Sequence, residues 1–184
     1  MFRVTIILLI LNFYNFAFSS PKDEIISQMG LTNILSFNFI QSIDEKKENG
    51  SCVIKYPKKI FCEYNTSNKK IIISNGRSLV IKNKSNRNYY IYPLNKTPLA
   101  LLLDKEYLIS KIKNLEPRNV DNKFFVFKIS EENNKINIFF DKKNFWLVGW
   151  QTEDIYQKLS ITFISSIKIN QKIDNKTFIL PKND

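Results

Sequence analysis

The chain of 184 residues contains no histidine, only two cysteines and only four glycines. The missing histidine excludes Ser-His-Asp and Cys-His catalysis and removes the commonest metal ligand and general base. Any metal site would fall to carboxylates or to the two cysteines, and none of these is spaced for one. Two pairs of acids within the expected strands or their turns, Glu131-Glu132 and Glu153-Asp154, are neighbours in sequence, and neighbours on a strand point to opposite faces. No enzyme and no cofactor is expected. Beyond the N-terminus no apolar run is long enough to span a bilayer, and neither repeat nor linker divides the chain.

The N-terminus has the form of an export signal. Arg3 supplies a positive start, and Val4 to Phe18 is apolar apart from Thr5, Asn12, Tyr14 and Asn15. Ala17-Phe18-Ser19 puts small residues where a signal peptidase reads, so cleavage is expected after Ser19. A membrane anchor is the other reading. The run is shorter than the ~20 residues a spanning helix needs, and two asparagines break it. Residues 20–184 are then one domain in the periplasm, with no cysteine at the cleavage point to carry a lipid.

Lysine and arginine outnumber the acids 28 to 17, a formal net charge of +11. The lysines are scattered, and no basic helix, zinc motif or aromatic-plus-glycine signature marks a nucleic-acid reader. Nucleic acid is therefore not an expected partner. Two readings of the charge remain: a solvated surface, or attraction to anionic phospholipid head groups.

Ser20-Pro21-Lys22-Asp23 is a helix start, with a capping hydroxyl, an early proline and an acid in the first turn. Ile25, Ile26, Met29, Ile34 and Leu35 form a partial stripe behind it, either core packing or a mobile lid. From Ser36 the period becomes two, with Phe37, Phe39 and Gln41 alternating in a strand. Glu45 to Gly50 reads as a charged turn. Cys52, Ile54 and Tyr56 share one face, and Ile60, Cys62 and Tyr64 match them beyond Pro57. Asn65 to Lys70 is a polar loop. Asn75-Gly76 is a hairpin turn with φ > 0 expected at both residues, and Tyr89–Tyr92 forms another strand. Thr97-Pro98 starts a very apolar helix through Leu103, which continues or restarts at Asp104. Strands are expected over Lys123–Ser130, Lys135–Phe140, Asn144–Gln151 and Gln157–Ile169, with a last short one at Thr177–Pro181. The fold class is mainly β (α+β): one antiparallel sheet with helices on one face.

If Tyr56 lies opposite Lys58, Ile54 faces Ile60 and Cys52 faces Cys62. Directly opposed Cβ atoms lie about 4.5–5.5 Å apart, slightly wider than a disulfide's ~3.5–4.5 Å. The pair is either a bridge in an oxidising compartment or two small buried hydrophobes.

In this order the pieces resemble the bacterial outer-membrane lipoprotein carrier family, LolA. They are Ser36-Phe37-x-Phe39-x-Gln41, Gly50-x6-Pro57-x6-Tyr64, Ile71-Ile72-Ile73-Ser74-Asn75-Gly76, Lys96-Thr97-Pro98-Leu99 and Thr177-Phe178-x-x-Pro181. The resemblance implies an incomplete antiparallel β-barrel, or half-barrel, whose helices cover an apolar concave face. It implies a monomeric carrier of acylated lipoproteins, loaded by an inner-membrane lipoprotein-releasing transporter and delivering to the outer membrane, with or without a receptor there. On that reading Ile54, Tyr56, Ile60 and Tyr64 line the acyl-chain cavity, and Leu99, Leu102 and Leu103 form its lid. Two departures stand out. Tyr56 occupies the position before the hairpin proline where the family commonly has a lid-holding arginine, and Phe61 and Cys62 replace an arginine and an aromatic. The loop Asn65 to Lys70 is polar, unlike the exposed apolar loop of the receptor LolB, which favours carrier over receptor. A phospholipid shuttle and a protein-binding envelope adaptor are the alternatives on the same fold.

Overall fold

A computed structural model describes residues 19–67, 69–83, 89–131, 134–153 and 158–181. The expected signal segment lies outside the described residues apart from Ser19, as do Asn68, Asp154 and Gln157. Eleven strands form one antiparallel sheet. They are β1 (Ile34–Ile43), β2 (Lys46–Lys55), β3 (Lys59–Tyr64), β4 (Lys70–Asn75), β5 (Ser78–Asn83) and β6 (Tyr89–Pro93), then β7 (Arg118–Val120), β8 (Phe124–Glu131), β9 (Asn134–Asp141), β10 (Leu147–Glu153) and β11 (Leu159–Ile169). The spatial order is β6-β5-β4-β3-β2-β1-β11-β10-β9-β8-β7, so the sheet is an open half-barrel with β6 and β7 as its edges.

Helices α1 (Pro21–Leu31), α2 (Leu99–Leu102) and α3 (Lys105–Lys113) cover the concave face. Inward positions of the strands, among them Phe37, Phe39, Ile54, Ile60, Phe127, Ile138, Phe140 and Trp150, pack with Ile25 of α1, Leu101–Leu103, and Leu108 and Ile112 of α3 in one core. Phe37 of β1 meets Trp150 of β10 edge-on at 6.0 Å between ring centroids, across the intervening β11. The convex face has a smaller buried set of Val53, Ile73 and Val80.

Local sequence explains most of these boundaries. Ser20 and Asp23 form a reciprocal capping box at the start of α1. Asp104 accepts from Tyr107 N at 3.1 Å, so α3 restarts there instead of continuing α2. Five expectations change. Lys46–Gly50 is strand, paired in register with β1, because the tight Asp44-Glu45 turn lets the ladder run past the core into solvent. Ile34 and Leu35 belong to β1, not to the stripe of α1. Only Gly76 of the Asn75-Gly76 pair has φ > 0; the Asn75 side chain instead accepts from Arg77 N and Ser78 N, an Asx turn within a longer loop. The Thr97 hydroxyl donates backwards to Leu94 O and leaves the start of α2 without a side-chain cap. Residues 175–178 form a 3₁₀ turn capped by Asp174, not a strand, and Phe178 is buried beside β3 and β4.

Candidate functional site

The β2–β3 turn, Tyr56-Pro57-Lys58 with a cis Tyr56–Pro57 bond, is where the helices meet the sheet. Tyr56 N donates to Asn33 O at 2.9 Å, just after α1, and Lys58 N donates to Leu103 O at 2.8 Å, at the end of α2. Lys58 Nζ also lies 3.1 Å from Asp104 Oδ2. One hairpin tip thus holds the ends of two helices through polar contacts.

Lys105 adds the third fastening. It opens α3 and is only 7% exposed, and its ammonium donates to Gly30 O (3.0 Å), Thr32 O (3.0 Å) and Asn33 Oδ1 (3.2 Å). The last carbonyls of a helix are unpaired and carry partial negative charge, which a cation satisfies. Helix α1 has no basic residue in its last turn, so α3 supplies one. Further along, α3 is tied to β8: Tyr107 donates to Glu131, and Lys111 Nζ lies 3.0 Å from the same carboxylate. These bonds hold the Glu131 carboxyl below its ordinary range, the Tyr107 contact contributing most.

Beneath these fastenings is a cavity of about 40 Å³. Met29, Leu35, Leu108, Ile138, Phe140, Phe145, Trp146, Leu147 and Ile169 form its apolar wall, and Gln28, Thr32, Tyr56 and Lys105 its polar end. Ligand pockets run to roughly 300–1,000 Å³, so this space is far smaller than one. A larger surface hollow of about 420 Å³ lies on the flank of α2, lined by Arg77, Lys58, Ala100 and Leu101 among others.

Of the residues singled out in the sequence, Tyr56 reaches the cavity wall. Burial pushes its phenol well above its ordinary value, so it stays neutral. Ile54, Ile60 and Tyr64 lie on the same concave face but inside the packed core. Tyr64 donates to Gln41 at 3.1 Å and stacks edge-on with Phe39. Leu102 and Leu103 are fully buried plugs, and Leu99 packs at their margin. Cys52 and Cys62 stand directly opposite in the register that also pairs Ile54 with Ile60, and they are joined by a disulfide. Met29, on the expected stripe of α1, and the β9 residues Ile138 and Phe140 were readable as inward positions. Phe145 and Trp146, in the loop before β10, were not.

The family model of the outer membrane lipoprotein carrier protein LolA matches residues 31–180. The chain belongs to the LolA family. Solved structures share its architecture: an uncharacterized conserved protein from Thermus thermophilus has a TM-score of 0.53 at 7% identity, covering 89% of this chain and 96% of that one. A LolA superfamily protein from Nitrosomonas europaea has a TM-score of 0.49 at 9% identity, covering 88% and 99%. The MucA/MucB complex of Pseudomonas aeruginosa has a TM-score of 0.47 at 8% identity, covering 89% and 62%. At such identities the likeness is one of fold. None of the curated protein sequences matches the chain. The family is that of an outer membrane lipoprotein carrier protein. In this LolA chain Tyr56 fills the place where the resemblance leads one to expect arginine, and Lys105 of α3 sets an ammonium 5.8 Å from its ring centroid.

Proposed function

We propose that this protein is a periplasmic carrier, exported by a cleaved segment over residues 1–19, with residues 20–184 as its single working domain. It takes the acyl chains of lipoproteins between sheet and helices and moves them, as a monomer, from an inner-membrane releasing transporter to the outer membrane. The observation that carries this reading is the closed apolar space under helices whose ends are held by polar contacts. An apolar lid held at its ends by hydrogen bonds and ion pairs can swing without first unpacking the sheet.

Magnitudes favour the cycle. A sixteen-carbon chain in water is unfavourable by about 12 kcal/mol, at about 0.8 kcal/mol per CH₂. Lifting a buried leucine such as Leu102 or Leu103 into water costs about 1.5–3 kcal/mol. One entering chain therefore offsets the opening of a short apolar lid, and the closed form waits for it. Tyr56 and the core positions Ile54, Ile60 and Tyr64 become lining once Leu99, Leu102 and Leu103 have moved.

The test is expression in a Gram-negative periplasm, purification without detergent and native mass spectrometry. A co-purified acylated lipoprotein is the expected result. Phospholipid alone would redirect the reading to a lipid shuttle. A ligand-free protein that also ignores fluorescent acyl probes would overturn it in favour of a protein-binding envelope adaptor.

A further inference from the structure

The convex face of the sheet has two apolar areas, and among the described residues the chain covers only one. Around Val53, Ile73 and Val80 the segment after β11 returns across the face, anchored by Lys55 Nζ on Asn175 Oδ1 at 2.6 Å and by the buried Phe178. The other area, on β1, β11, β9 and β8, has no such cover. There Phe163 packs against Phe139 and Phe124 with ring centroids 5.7 and 6.1 Å apart, and Phe124 meets Phe139 at 6.4 Å. Gly149 lies between these strands, and a Cβ there would come within 3.2 Å of Phe163 and 3.3 Å of Phe139. The rings thus lie low over bare backbone. Even so, Phe163 remains 46% exposed and its cross-strand neighbour Ile40 58%.

The charge of this face is one-sided. Register and alternation assign eight cations and three carboxylates to the outward strand positions among the described residues. Lys47, Lys128, Lys168 and Arg118 are exposed there. Of the three acids, Glu153 pairs with Lys135, and Asp141 accepts from the backbone N–H groups of Lys143 and Asn144. The cations are spread across the width of the sheet and not set in one fork.

From this we infer that the convex face docks on anionic phospholipid bilayers, with Phe163 and Ile40 seated among the head groups and the surrounding lysines on phosphates. Scattered, flexible cations fit a fluid field of phosphates, and an exposed aromatic–aliphatic centre fits the interface beneath it. The helices and the cavity lie on the opposite face, so docking leaves the lid free. The inference does not depend on what the cavity carries.

The test is co-sedimentation of the periplasmically expressed protein with phosphatidylethanolamine vesicles with and without phosphatidylglycerol. Binding is expected only with phosphatidylglycerol, and it weakens as salt is raised. The Ile40→Ser/Phe163→Ser double variant should bind about tenfold more weakly with an unchanged near-UV spectrum. The Lys47→Ser/Lys128→Ser double variant should lose much of the salt dependence, while Lys113→Ser, on α3, should bind as wild type. Absence of binding to anionic vesicles, or wild-type binding by Ile40→Ser/Phe163→Ser, would overturn the inference. Acyl-probe uptake on the same samples reports separately on the carrier reading and should be unaffected by all three sets of substitutions.

Discussion

The ammonium of Lys105 lies 5.8 Å from the ring centroid of Tyr56, so a cation from α3 rests on an aromatic at the end of the β2–β3 hairpin. The ammonium also donates to three oxygens at the end of α1, so three elements converge on one side chain. Charge thus crosses this junction both ways, from Lys105 of α3 to the end of α1 and from Lys58 of the hairpin to Asp104.

Replacing Lys105 by Met keeps the apolar stem and removes the charge. Gly30 O, Thr32 O and Asn33 Oδ1 then lose their donor, at a cost of about 1–3 kcal/mol. Urea unfolding should show that loss, and stopped-flow uptake of an acyl probe should become faster. Slower or unchanged uptake would remove Lys105 from the gate.

At Tyr56 the ring matters and the hydroxyl does not. The Tyr56→Phe variant keeps the face that Lys105 rests on, so probe affinity and release rate should match wild type. Tyr56→Ala removes one wall of the cavity and should cost about 3–5 kcal/mol in stability. A marked change in release with Tyr56→Phe would show that the hydroxyl has a role in the open form.

The Cys52–Cys62 bridge closes a short loop, ten residues apart in sequence. By chain entropy such a loop contributes about 3 kcal/mol at most, less where the hairpin already holds its register. Reduction should lower the urea midpoint while leaving acyl-probe affinity as it was. An affinity that fell with the midpoint would link the bridge to the cavity.

A methyl group at Gly149 would sit 2.4 Å from Thr162 O, a backbone atom of the neighbouring strand. Gly149→Ala therefore forces β10 and β11 apart, with an expected loss of about 1–3 kcal/mol. Thermal unfolding measures the loss, and the near-UV spectrum should report the disturbed Phe139–Phe163 pair.

Most of the sheet was legible because its inward positions alternate: Phe37 and Phe39, Ile54 and Cys62, Ile136 and Ile138 each mark a face that only a core satisfies. The helix starts at Ser20 and Asp104 carry their own caps. Lys46–Gly50 escaped because it carries no apolar side chain: Lys46, Lys47 and Asn49 are exposed, and Glu48 is held by an ion pair with Lys70 of β4. Arg118–Val120 is too short to show a period. The site was less legible than the fold. Tyr56 is drawn to the cavity by its hairpin, but Phe145 and Trp146 reach it through a loop whose path follows from β9–β10 pairing. Lys105 looks like any other lysine until the end of α1 is folded against it.

The central strand of the sheet, β1, pairs with its sequence neighbour β2 on one side and with the last strand, β11, on the other. A polypeptide threaded through a membrane N-terminus first can make the β1–β2 hairpin early, but it must wait for residues 159–169 before its other edge is filled. Until then Phe37 and Phe39 lack the Ile164 and Trp150 half of their core. On the export route proposed above, the architecture delays its own completion until translocation is nearly over, since distant pairings form slowly.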